Sequence, residues 1–334
     1  MAEYTLIRSD RQGGRCRQSL SRLTRGLNLI DYRMADYRAY DDTVKLLALA
    51  RYGRVGPRLL DLLMRQLVRL DAVFELDRKG FSHIEGLNTA SIERILSSRD
   101  RLKEAKEFMD VLRGRDITVI SRHDESYPQH LFELNDSPVL LYCRGHLPDP
   151  KIKSVVLMGA DTPTAEGIEM TSRLSRLFSQ AGVQMVAPLS GGIAAAAHLA
   201  AKASGVASYA VVEFGFDAIV GSVEMSLAID IAATGGVVSE FAPDDPPARD
   251  AIGQANRLMV GLVRGVVFTE MYADSARAQD MIEFCNQTGK LTFFFVDPEL
   301  GALSDKQSLE RAVENGAIPL TGYDKVPDIV NSLV

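Results

Sequence analysis

Residues 154–167 read Ser-Val-Val-Leu-Met-Gly-Ala-Asp-Thr-Pro-Thr-Ala-Glu-Gly, and this stretch decides the fold. Its first five residues carry no charge and are rich in valine and large apolar side chains, which predicts a strand buried on both faces. Gly159 then permits a tight turn, and Gly167 opens a helical run over 168–181. A helix that starts directly after a strand offers unpaired N–H groups to an anion.

The same alternation continues downstream. Short apolar runs at 183–187, 208–213, 236–239, 266–269 and 291–295 read as further strands, and 194–204, 223–233, 257–262 and 276–288 as helices between them. Strands separated by helices of this length require right-handed crossovers and a mostly parallel sheet. Residues 151–334 are therefore expected to form a Rossmann-like, doubly wound α/β domain.

Upstream the pattern changes. Residues 116–150 form a bridging β segment, with short runs at 116–121 and 139–143 flanking Tyr127-Pro128 and a turn at Asn135-Asp136-Ser137-Pro138. Residues 42–115 read as a small all-helical domain. Helical spacing around Leu46, Leu47 and Leu49 and around Leu59, Leu60 and Leu63 is broken by Gly53-Arg54-Val55-Gly56-Pro57. A second unit turns at Gly86-Leu87-Asn88. Each unit resembles a helix-hairpin-helix, or SAM-like, element, in which a glycine turn presents backbone N–H groups to a phosphate; a plain helical bundle with glycines in its turns is the alternative. Residues 1–41 form an arm with Arg8, Arg11, Arg15, Arg17, Arg22 and Arg25, read either as solvated surface or as a phosphate contact.

Composition narrows the class. The 334 residues carry a formal charge of −6, so any contact with nucleic acid must use a local patch. The three cysteines, Cys16, Cys143 and Cys285, form no CxxC pair and indicate neither a disulfide framework nor a zinc module. The polar start carries no secretory signal, and the longest apolar stretch, 192–214, is interrupted by His198, Lys202, Ser204 and Gly205. A soluble cytoplasmic protein without a membrane span is expected.

Ligands of such sheets bind at the carboxyl ends of the strands, where strand order reverses. The second strand runs into Ala187-Pro188-Leu189-Ser190-Gly191-Gly192-Ile193, whose double glycine is the best phosphate cradle in the chain; close backbone approach without a ligand is its alternative. His198 on the next helix reads as a hydrogen-bonding or packing residue rather than a metal ligand. Asn256-Arg257, read at a loop-to-helix junction, brings a guanidinium able to clasp a phosphate. Glu270 and Asp274-Ser275 follow the next strand; their acids are read as meeting a ribose, a base edge or Arg257. There is no GxGxxG fingerprint, Walker lysine loop, GxSxG elbow or HExxH, so no cofactor is expected and binding is favoured over catalysis.

Several ordered motifs resemble the DNA-processing protein A family, also called Smf, over about residues 42–325. Tyr127-Pro128, Leu131, Asp136-Ser137-Pro138, Leu140-Leu141-Tyr142 and Gly145 resemble its YPxxL…DxPxxLYxxG lead-in. Gly192-Ile193 through His198 resemble its GID-AAH signature, Ser239-Glu240 with Pro246-Pro247 its SExP…P, and Asn256-Arg257 through Gly261-Leu262 its RNRxIxGL. Glu270 resembles the glutamate after the next strand, and Asn315-Gly316-Ala317 the closing GA turn.

The resemblance implies a non-catalytic, dimeric protein that binds single-stranded DNA in the Rossmann-like domain and helps load a RecA-type recombinase during DNA uptake or recombination. Together with the turn chemistry it places Gly159, Gly167, Ser190, Gly191, Gly192, Ile193, His198, Asn256, Arg257, Ser275 and Arg277 against DNA phosphates. The chain departs from the pattern where Asp161 replaces an arginine, where Ala187 and Ala194 replace a serine and an aspartate, and at Ala255 and Ser275-Ala276-Arg277; the family's frequent C-terminal winged helix is not expected within these residues. Two other readings keep the fold: a sensor of a nucleotide-derived ligand using Gly159, Gly191, Gly192 and Asn256, and a dimer partner or scaffold that has lost the ligand.

Overall fold

The computed structural model describes residues 36–246, 248–272 and 275–333. The arginines and Cys16 of the N-terminal arm, Pro247, Ala273 and Asp274 lie outside the described residues.

Helices come first. α1 (Asp42–Leu47) continues through a π turn at Ala48–Tyr52, and α2 (Pro57–Leu67), α3 (Leu70–Glu75), α4 (Arg78–Ser82), α5 (Thr89–Arg99) and α6 (Leu102–Arg113) follow. The sequence supplies the starts: Asp41, Asp77 and Asn88 accept hydrogen bonds from the N–H groups of Val44, Gly80 and Ser91 at 2.7–2.8 Å. Pro57 occupies the first turn of α2, where its missing N–H costs nothing.

A single nine-stranded sheet carries the rest. Its strands are β1 (Thr118–Ser121), β2 (Leu140–Gly145), β3 (Ser154–Met158), β4 (Gln184–Pro188), β5 (Ser208–Val211), β6 (Gly236–Ser239), β7 (Gly265–Phe268), β8 (Leu291–Val296) and β9 (Ile318–Thr321), in the order β1-β2-β6-β5-β4-β3-β7-β8-β9. β3 to β9 are mutually parallel, whereas β2 runs antiparallel to both β1 and β6. The bridging segment thus extends the same sheet. From β3 the chain winds outward through α7 (Ala165–Gln180), α8 (Gly192–Ala203) and α9 (Ser222–Thr234), then returns through α10 (Ala251–Leu262) to the other side of β3. α11 (Ala276–Thr288) and α12 (Lys306–Glu314) lead to β8 and β9, and α13 (Val326–Ser332) packs on α7.

Reversal of the winding direction creates a switch point between β3 and β7. Central strands β3 to β7 are buried throughout, as their apolar runs require. Beneath α1 to α6, Leu46, Leu49, Leu60 and Phe81 belong to one apolar cluster with Leu140, Tyr142, Val212 and Val237 of the sheet. No helix among the described residues is long and apolar enough to cross a membrane.

Candidate nucleic-acid interface

The switch point is built around a carboxylate. Glu270 follows β7 and is 0% exposed. It accepts hydrogen bonds from Thr164 N at 3.1 Å, from Thr164 Oγ1 at 3.0 Å and from the Tyr272 hydroxyl. Thr164 is also the N-cap of α7, its Oγ1 accepting from Gly167 N at 3.0 Å. The negative charge therefore rests at the positive end of the α7 dipole, where unpaired N–H groups gather. The bond from Tyr272, together with burial, raises the phenol to about 12.

This arrangement explains two of the glycines. A Cβ at Gly167 would overlap the Glu270 carboxylate, and one at Gly159 would stand 2.5 Å from the Glu270 carbonyl oxygen. Ala160 N donates to that same oxygen at 2.8 Å. Gly159 and Gly167 are small because the chain packs on itself here, and the anion seat expected at the first turn holds the protein's own carboxylate.

The second turn is open. Gly192 has φ +59°, and a Cβ there would collide with the carbonyl oxygens of Ala160 and Asp161. Ile193 N donates to Ala160 O at 3.1 Å, locking the two turns together. Gly191 is exposed and is the N-cap of α8 without a side-chain cap. A Cβ at Gly191 would meet nothing nearer than Asp161 O at 4.0 Å. Ser190 is half-buried beside it. At the start of this twelve-residue helix the N–H groups of Gly192 and Ala194 have no hydrogen-bond partner among the described residues.

Other expected phosphate contacts are corrected. Asn256 and Arg257 lie in the middle of α10, which begins at Ala251, and are 0% and 6% exposed. The Arg257 guanidinium donates to Asp136 O, reaches Asp136 Oδ1 at 3.0 Å and pairs with Glu240. A buried cation requires such partners, so its charge is met inside the fold rather than by a phosphate. Burial in turn raises the Glu240 carboxyl to about 7 against the pull of Arg257. Glu270, one of the acids considered as a partner of Arg257, bonds to Thr164 and Tyr272 instead.

Arg277 pairs with Glu213 at 2.8 Å, with its backbone carbonyl 3.5 Å from Asn256 Nδ2. Ser275 caps α11, accepting from Ala278 N at 3.3 Å. His198 is 1% exposed, and its Nδ1 lies 3.0 Å from Ser208 Oγ; burial lowers its pKa to about 4 while the nearby Pro188 and Ala187 carbonyls pull it upward. At 1% exposure the His198 ring is enclosed by the protein and does not reach the crevice surface. Among the described residues no group of three or more His, Cys, Asp or Glu is placed to hold a metal.

The structure thus brings together Gly159, Gly167, Ser190, Gly191, Gly192 and Ile193, buries His198, Asn256 and Arg257 in the fold, and leaves Ser275 and Arg277 half-buried. Thr164, which binds both Glu270 and Gly167, belongs to none of the motifs quoted above. A threonine three residues before Gly167 is an N-cap signal that could have found it.

Comparison with known proteins agrees with this architecture. Residues 118–331 match the family described as DNA recombination-mediator protein A. Protein Smf of Synechocystis sp. is 28% identical over 228 residues, 67% of this chain and 57% of that protein. The chain therefore spans little more than half the length of that relative. The DNA processing protein DprA of Streptococcus pneumoniae is 31% identical over 205 residues, 61% of this chain and 71% of that protein. The crystal structure of the Streptococcus pneumoniae protein superposes with a TM-score of 0.70 at 22% identity, covering 86% of this chain and 98% of that one. The Helicobacter pylori protein superposes with a TM-score of 0.53 at 19% identity, covering 65% and 95%. With a family match across all nine strands of the sheet, the chain belongs to the DNA recombination-mediator protein A family.

Proposed function

We propose that this chain binds single-stranded DNA at the carboxyl edge of its sheet, as a non-catalytic recombination mediator acting with a RecA-type recombinase and as a dimer. The observation that carries this reading is the uncapped start of α8 with Gly191 exposed at its N-cap, beside a switch point whose other turn is closed by Glu270. The Helicobacter pylori relative is described in terms of its single-stranded DNA binding mode. Binding here relies on backbone N–H groups, because the nearby guanidiniums of Arg257 and Arg277 already meet carboxylates.

Gly191→Asp tests the reading. Gly191 has room for a side chain, and aspartate is a preferred N-cap, so the variant should keep or slightly raise stability. Its carboxylate would stand where a phosphate is proposed to sit. Fluorescence anisotropy with an oligothymidylate should show affinity falling by about tenfold, roughly one charge-assisted contact. Unchanged affinity in the folded variant would remove the start of α8 from the interface, and a wild-type chain silent at low salt would overturn strand binding itself.

A further inference from the structure

A second cleft opens farther along the same edge of the sheet. It encloses about 630 Å³ between the π turn and α2 on one side and the ends of β2 and β6 on the other. The register Tyr142↔Ser239 of the antiparallel pair β2–β6 puts Leu140 beyond the carboxyl end of β6, so the cleft shares its edge with Gly191. Three strand spacings separate β4 from β2, about 14 Å across the sheet.

Three groups in this cleft lack partners that the fold would normally supply. Tyr142 is 3% exposed and lines the cavity, yet its hydroxyl has no hydrogen-bond partner among the described residues. Burial raises its pKa, which keeps the phenol a donor. Arg54 is exposed, is held at φ +49°, and has no carboxylate within ion-pair distance among the described residues. α2, eleven residues long, starts beside the cleft at Gly56 without a side-chain cap; Pro57 supplies no N–H there, so its uncapped N–H groups are those of Arg58 and Leu59. The acids on the wall are engaged: Glu240 pairs with Arg257, and Asp245 accepts from Ala242 N at 2.9 Å. Arg51 is neutralised by Asp244 at 2.5 Å and lies 3.9 Å over the Phe108 ring.

A free guanidinium beside a helix start is a phosphate seat. A buried phenol donor and the Gln254 amide on the lining suit the polar edge of a sugar or base, and the volume is that of a ligand pocket. We propose that this cleft is a nucleotide site, with Arg54 and the start of α2 on the phosphate and Tyr142 and Gln254 on the nucleoside. Resting on the strand-binding reading above, the proposal makes the occupant a nucleotide of the same DNA strand after it has crossed the edge from Gly191. A free mononucleotide shares the chemistry.

The test uses the whole chain, with Arg54→Gln and Tyr142→Phe. Anisotropy is read with a labelled oligothymidylate of about 16 nucleotides, the upper end of single-strand footprints. Arg54→Gln should weaken binding about tenfold and reduce the slope of log affinity against log salt by about 0.7, one phosphate contact on a single strand. Tyr142→Phe should weaken it several-fold, with the melting temperature of the Arg54 variant unchanged. Thermal shift with thymidine monophosphate separates the sources: a rise in melting temperature that depends on Arg54, with no Arg54 dependence of strand affinity, assigns the site to a free nucleotide. If neither strand affinity nor the thymidylate-induced rise depends on Arg54, the nucleotide site is overturned. A wild-type chain that binds no strand but shows the Arg54-dependent rise overturns strand binding and retains the site.

Discussion

His198 is a buried titratable residue with a clear signature in pH. Its folded pKa of about 4 lies below the ordinary value of 6.5, so the fold favours the neutral ring. That stabilisation is complete above pH 6.5 and is lost as pH falls through about 4, up to about 3 kcal/mol. Urea unfolding of wild type and His198→Gln over this range should show their stability difference narrowing by that amount toward acid; a constant difference would place the ring in contact with solvent. Arg257 carries the contrasting lesson. Its residue type suggested a phosphate clasp, but its carboxylates come from Asp136 and Glu240, 121 and 17 residues away. Spacing along a chain does not show which distant acid a buried guanidinium meets.

At the scale of the element, the start of α7 concentrates two jobs in one hydroxyl. Thr164 Oγ1 caps the helix through Gly167 N and donates to the buried Glu270. Thr164→Ala should cost about 2 kcal/mol, the sum of a lost cap and a carboxylate left short of a donor, and Thr164→Ser should recover most of it. Equal denaturation midpoints for wild type and the alanine variant would contradict this. β3 to β8 were legible within a residue or two, because each is an apolar run bounded by turns. β9 was not: it contains Pro319, and three of its four residues are exposed, as befits an edge. α10 begins six residues before the start its sequence suggests, because Gly253 and the prolines before it resemble a loop.

Across the whole molecule, the helical region and the sheet share one apolar cluster, joined also by ion pairs such as Arg115–Asp217 and Arg122–Asp61. They should unfold together, giving one calorimetric transition with equal calorimetric and van't Hoff enthalpies. Two separated transitions would show that the cluster does not couple them. Neither the sharing of this core nor the entry of β1 and β2 into the sheet was visible in the chain, since both rest on contacts between distant segments. Glu270 has a wider consequence for what the molecule can accept. A tethered carboxylate acts as an internal competitor at an effective concentration on the order of millimolar or above. A dinucleotide whose pyrophosphate must occupy the first turn would have to displace it, whereas a ligand entering by the second turn meets no such rival, so the crevice selects its guests by keeping one seat permanently taken.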